Sequence, residues 1–110
     1  MELVAENAGT YALFSEANVA EAQARGDKVV LFFHAGWCPT CRAANQELMN
    51  KLADIPAGLT ILKTDYDTEK ALKEKYNITY QHTFVQIDPA GNKLNKWNGG
   101  GLDQIISKVK

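Results

Sequence analysis

Cysteine is scarce in this sequence: there are two among 110 residues, separated by two others, alongside only three prolines and two histidines. A disulfide-stapled scaffold carries more bridges closing longer loops, and a structural zinc site needs four ligands, so the count points to one reversible dithiol. An excess of charge of one sign is equally absent. The formal net charge is -1, with acidic and basic side chains interspersed, so there is no field that would concentrate a polyanion or hold an anionic membrane, and nucleic acid is not expected as a partner. The longest wholly apolar run, Val29 to Phe33, falls far short of the roughly 20 residues needed to cross a bilayer. Met1 to Glu6 lack the basic head and apolar middle of a secretory signal.

What is present suits one small core. A chain of this length supports a single domain over residues 1–110, and 45% apolar residues with four Phe, four Tyr and two Trp are ample to fill it. Residues 1–14 read as a lead-in or short extra strand, centred on Tyr11 to Phe14. Ser15 is placed as a helix N-cap, with Phe14 and Val19 spaced for a hydrophobic staple and Gly26 closing the helix. Val29 to Phe33 lacks polar alternation, which implies a strand covered on both faces at the centre of the sheet. A helix then carries Ala44, Leu48 and Leu52 inward at a spacing of four. Leu59 to Thr64 reads as a second buried strand and Thr68 to Tyr76 as a helix with Leu72 and Tyr76 facing inward. Strand, helix, strand, helix predicts an α/β domain with parallel pairing. Thr83–Ile87 and Lys93–Trp97, joined by a turn-rich Asp-Pro-Ala-Gly-Asn segment, add an antiparallel hairpin. Leu102, Ile105, Ile106 and Val109 mark a final amphipathic helix.

The chemistry sits in Trp37-Cys38-Pro39-Thr40-Cys41. Proline is favoured at the first position of a helix, so Cys38 precedes the helix body and Cys41 lies about one turn in, a separation a disulfide can bridge. Unpaired N–H groups and the positive end of the helix stabilise a thiolate at Cys38, which predicts an exposed, attacking Cys38 and a less accessible, resolving Cys41. Such a pair exchanges disulfides through a mixed-disulfide intermediate, in a direction set by its potential relative to its partners.

These residues resemble the thioredoxin superfamily over about Val29 to Val109: the buried strand, Ala35-Gly36-Trp37-Cys38-Pro39-Thr40-Cys41, the Lys63-Thr64-Asp65-Tyr66-Asp67 strand end, the Tyr76-Asn77-Ile78 helix exit, and the closing hairpin and helix. The resemblance implies a thioredoxin-like fold with a central mixed four- or five-stranded sheet flanked by helices. It implies a thiol-disulfide oxidoreductase acting on protein disulfides, without a cofactor or resident metal, as a monomer, and fed by an upstream dithiol reductase or membrane electron donor. The lead-in and the Cys-x-x-Cys segment look like those of exported or membrane-anchored reductases, which implies a periplasmic or extracellular membrane-associated setting, with a cytoplasmic one as alternative.

Two positions depart from the family. His82 occupies the place of a cis-proline before Thr83. The cis bond is expected to persist there, with the main chain before Thr83 docking an extended substrate, although a non-proline cis bond costs roughly 2.5 to 4 kcal/mol and a trans loop is the alternative. Phe32 replaces a buried carboxylate that assists the resolving cysteine, and Glu47 and Lys63 are the candidates left to influence the site.

By the same resemblance Trp37, Pro39, His82 and Thr83 are expected to contact substrate. His82 is also a candidate to stabilise the thiolate or move a proton, as against a loop histidine that caps backbone polarity. His34, Tyr80 and Trp97 read as packing residues, and Gly99 to Gly101 as a bend. Two competing functions are a redox-sensing or client-binding thiol protein without turnover, and zinc held by Cys38, Cys41 and His82, joined in one version by His34.

Overall fold

The computed structural model describes residues 8–110; the first part of the lead-in therefore lies outside the described residues. Five strands form one sheet: β1 (Thr10–Leu13), β2 (Lys28–His34), β3 (Leu59–Asp65), β4 (Thr83–Ile87) and β5 (Lys93–Asn98), in the order β1-β3-β2-β4-β5. β1 and β2 run parallel to β3, whereas β4 is antiparallel to β2 and β5 to β4. The sheet is mixed, and Thr10–Leu13 is a strand on its edge.

Four helices cover it: α1 (Glu16–Ala24), α2 (Pro39–Asn50), α3 (Lys70–Lys75) and α4 (Leu102–Lys108). None of them is long and apolar enough to cross a membrane among the described residues. α1 starts as its sequence dictates, with the Ser15 hydroxyl accepting the Asn18 amide at 2.9 Å and Gly26 taking a φ of 81° beyond its end. Lys51, at φ -123°, stops α2 before the third expected inward residue, Leu52, is reached. Leu52 consequently falls in a short 3-10 turn and is 48% exposed. α3 is shorter than its apolar spacing suggests because Asp65 holds the preceding turn: its carboxylate accepts the Thr68 hydroxyl at 2.7 Å and its carbonyl accepts the Glu69 amide at 3.1 Å.

The uninterrupted apolar run in β2 is explained by two cores. Alternate residues of a strand face opposite sides of a sheet. Val30 and Phe32 pack with Ala44 and Leu48 of α2 and with Leu102 and Ile105 of α4, while Val29, Leu31 and Phe33 pack with Ala22, Tyr76 and Val85 on the other side. Phe14 and Val19 pack against this second core, as the staple requires. In the first core Phe84 is stacked between Phe32 and Trp97, with ring centroids 4.8 and 5.5 Å apart. This column ties the central strand to the hairpin and sets the floor beneath the end of β2.

Phe84→Ala is expected to cost about 3 to 5 kcal/mol, because the ring is fully buried between two flat partners that cannot close the space. Urea unfolding measures this, and a loss below about 1 kcal/mol contradicts the column's role.

Candidate active site: a dithiol at the mouth of α2

The loop after β2 delivers the two cysteines to the start of α2. Cys38 is the N-cap, with extended φ and ψ of -94° and 114°, and Pro39 occupies the first turn. The Cys38 Sγ accepts the Cys41 amide at 3.2 Å, so the sulfur performs the task that a Ser or Asp oxygen performs at an ordinary helix start. It also lies 3.3 Å from the Thr40 Oγ1. Both cysteines are free thiols.

The expectation of an exposed Cys38 is not met. Cys38 is 2% exposed and Cys41 0%, and both pack with Ala35 beside the half-buried Tyr66. The difference between the sulfurs is electrostatic. Burial pushes the Cys38 thiol up, but hydrogen bonds from the Cys41 thiol, the Thr40 hydroxyl, the Cys41 amide and the Gln81 side chain outweigh it and leave Cys38 below the ordinary thiol value. Burial, helped by the hydrogen bond to Cys38, pushes Cys41 up to about 12, against weaker lowering by the backbone of Ala35 and His82. The sulfurs are also enclosed by different material. Cys38 is touched by side chains of exposed Thr40 and half-buried Gln81, whereas Cys41 rests on the buried loop and the backbone of residue 82.

His82 takes an unexpected conformation. Among the described residues no peptide bond is cis, and His82 has a φ of 59°. The loop follows the trans alternative, in a left-handed conformation that histidine tolerates better than most side chains and that proline cannot reach. Its N–H donates to the Phe33 carbonyl at 2.8 Å and its carbonyl accepts the Gly99 amide at 2.8 Å, while the Gln81 carbonyl accepts from the Asn98 side chain at 3.0 Å. The main chain before Thr83 is therefore already bonded within the protein and is not the open docking edge expected from the family. Thr83 is likewise engaged, its hydroxyl donating to the Tyr80 carbonyl at 2.7 Å and accepting from Asn98 at 3.0 Å.

The His82 ring is buried between two partners, with Nδ1 3.0 Å from Thr40 Oγ1 and Nε2 2.8 Å from the Gly100 carbonyl oxygen. Gly99 and Gly100, at φ 84° and 92°, shape the bend that brings that carbonyl under the ring. With both nitrogens engaged, His82 is not free to join the cysteines around zinc. Among the described residues no group of three or more His, Cys, Asp or Glu side chains could hold a metal ion.

The other expected site residues scatter. Phe32 is fully buried, 5.8 Å from the His82 ring and edge-on to His34 at 5.6 Å. His34 is held below the usual imidazole range by burial and the nearby Lys63 cation, opposed in part by Asp65, and its Nε2 is buried without a hydrogen-bond partner. It is a packing residue. Lys63 pairs in register with Phe32 and lines a groove with Tyr11, Asn45 and Met49, so its charge acts on His34. Glu47 lines the groove beyond His82 and pairs with Lys51 at 3.4 Å. Trp37 and Pro39 are exposed at the mouth of the site, and the Trp37 Nε1 donates to the Asp67 carboxylate at 3.0 Å. Trp97 is buried as expected, but Tyr80 is 69% exposed, which overturns its reading as a packing residue. Thr40, Gln81, Asp67 and the Gly100 carbonyl were not singled out by the sequence; of these only Thr40 carried a signal, by standing next to Cys41.

A parallel and antiparallel sheet with a Cys-x-x-Cys pair capping a helix beside its central strand defines a redox-active dithiol domain suited to thiol–disulfide exchange. The thioredoxin family model matches residues 11–110, and the chain belongs to that family. It is 33% identical to a rice thioredoxin H-type over 94 residues, covering 86% of this chain and 75% of the relative. Among solved structures it resembles Trxlp of Edwardsiella tarda, with a TM-score of 0.67 and 25% identity over 88% of this chain and 94% of the other. A poplar thioredoxin h shares the fold, with a TM-score of 0.72 at 20% identity over 89% and 90% of the two chains.

In the reduced protein near neutral pH, iodoacetamide is expected to modify Cys38 at least about tenfold faster than Cys41, because only Cys38 has a lowered thiol pKa. Tandem mass spectrometry of the modified peptide measures the ratio, and equal or reversed labelling contradicts the assignment.

Proposed function

We propose that the protein reduces disulfides in partner proteins, with Cys38 as attacking sulfur and Cys41 as resolving sulfur. The reading rests on the opposite displacement of the two thiols, Cys38 lowered and Cys41 raised to about 12. The Cys38 thiolate attacks one sulfur of the target disulfide; that S–S bond breaks, a mixed disulfide forms, and the first target sulfur leaves as a thiolate. Cys41 then attacks Cys38 within the mixed disulfide. The second target sulfur departs and takes up the proton that Cys41 gives away. Two electrons have passed to the target, the enzyme holds a Cys38–Cys41 disulfide, and an upstream dithiol restores it.

Phe32 offers no group to accept the Cys41 proton, so that proton leaves with the departing target sulfur. Access to Cys38 requires the Thr40 and Gln81 side chains to move aside, which costs rotamer changes at the surface and leaves the core undisturbed. Exposed Trp37, Pro39 and Tyr80 supply the surrounding contact surface for a target. The expectation of an exported setting belongs to this reading and rests on the lead-in and the active-site segment alone.

Cys38→Ser is expected to lower turnover of an insulin disulfide at least about a thousandfold, and Cys41→Ser to accumulate a mixed disulfide through Cys38. Turnover surviving in Cys38→Ser sinks the reading. Client binding that persists in Cys38→Ser, without turnover by the unsubstituted protein, favours a thiol-independent binding protein instead.

A further inference from the structure

The buried imidazole next to the dithiol is joined to the attacking sulfur through the residue between the cysteines. We propose that Thr40 and His82 form a proton relay for Cys38, in which the threonine hydroxyl takes the thiol proton as it gives its own to the imidazole, and His82 orients that hydroxyl and carries the resulting charge. The inference rests on Cys38 being the attacking sulfur and identifies the residues that ionise it.

The tautomer follows from hydrogen-bond chemistry. A carbonyl oxygen only accepts, so the contact between Nε2 and Gly100 O, at 2.8 Å, fixes the ring proton on Nε2. In the neutral ring Nδ1 then carries the lone pair and accepts the Thr40 hydroxyl across 3.0 Å. With its hydrogen so directed, Thr40 Oγ1 has lone pairs free to accept the Cys38 S–H across 3.3 Å. Transfer needs no heavy atom to move. The proton on Cys38 Sγ passes to Thr40 Oγ1 as the Thr40 proton passes to His82 Nδ1. The products are a Cys38 thiolate and a His82 imidazolium. Every contact then persists, two of them with polarity reversed: Nδ1–H donates to Thr40 and Thr40 donates to the thiolate, while Nε2–H still donates to Gly100. The ring has both N–H groups satisfied in the charged state, which is what a buried imidazolium requires.

The backbone fixes this arrangement. His82 is pinned on both sides of its left-handed residue by Phe33 and Gly99, and Gly100 lies in the same bend. The titratable groups near His82 are Cys38, Cys41 and Glu47 from α2 and His34 from β2; Phe32 of β2 and Phe84 of β4 pack against the ring, and Asn98 of β5 is bonded to Gln81 and Thr83 beside it. Among the described residues the Thr40 hydroxyl lies within hydrogen-bond distance of both the Cys38 sulfur and the His82 ring, which gives the proton that Cys38 gives up a short route.

The test compares Thr40→Val, Thr40→Ser and His82→Asn in the reduced full chain. The rate of Cys38 alkylation from pH 5 to 9 is read alongside the NMR titration of the His82 ring. Thr40 is exposed, so neither substitution at that position threatens the fold. Thr40→Val is expected to slow alkylation at pH 6 about tenfold, the effect of a lost hydrogen bond to a charged group, and to remove the change in the His82 ring signals that accompanies Cys38 ionisation in the unsubstituted protein. Thr40→Ser is expected to keep both within about twofold of the unsubstituted protein. His82→Asn, which tolerates the left-handed backbone, should cost as much as Thr40→Val, and the double variant no more than either alone. An unchanged profile in Thr40→Val, or additive losses in the double variant, overturns the relay. Either result leaves the attacking role of Cys38 standing, because that role fails only if Cys38→Ser still turns over disulfides.

Discussion

The contact on which the rest depends is a sulfur acting as a helix cap. At the start of α2 the Cys38 Sγ takes the Cys41 amide, so the group that completes the helix is also the group that reacts. A thiolate accepts that amide better than a thiol does, and the positive end of the helix favours the same charge. Folding and ionisation are thereby coupled. Each bond that settles the Cys38 thiolate also stabilises the dithiol relative to the disulfide, which moves the oxidised protein towards accepting electrons. The same stabilisation makes the thiolate a weaker nucleophile per molecule, so abundance of the reactive form and its intrinsic strength trade against each other.

Around that cap an aromatic ring stands in place of a carboxylate and an imidazole in place of a proline. Phe32 stands where the family resemblance places a carboxylate, and it is built into the column with Phe84 and Trp97. Among the described residues no buried acid remains to lower the barrier for Cys41, whose thiol is pushed up to about 12. His82 stands where the resemblance places proline, and its left-handed trans backbone turns its ring towards Thr40 while its main-chain groups bond to Phe33 and Gly99. The substitution therefore removes the open main-chain edge and adds a titratable ring in one step.

Much of this was legible in the sequence. Val29 to Phe33 announced a strand covered on both faces, and the cores on either side of β2 require that uninterrupted run. Ser15, Gly26, Pro39 and the hairpin turn announced element ends, because each acts through a local backbone preference. Leu52 was misplaced because periodicity carries no information on where a helix stops, and Lys51 ends α2 first. The burial of Cys38, the engagement of the main chain around His82 and the exposure of Tyr80 were illegible for a common reason. Each depends on how residues distant in sequence close over one another, here residues 35–41 against 81–83 and 98–100.

The coupling between cap and charge is tested most directly by the stability of the reduced protein as a function of pH, taken as the difference between the unsubstituted chain and Cys38→Ser. The folded Cys38 has a lowered thiol pKa, so its contribution is absent below the folded value, grows as pH rises, and is complete above the unfolded value of about 8.5. The raised Cys41 acts in the opposite sense above about 8.5; burial is the largest cause of its shift and is common to both proteins, so the difference removes most of that contribution. A difference curve that climbs with pH and levels near the unfolded thiol value is the result the account requires. A flat or descending curve would show that the fold does not favour the Cys38 thiolate.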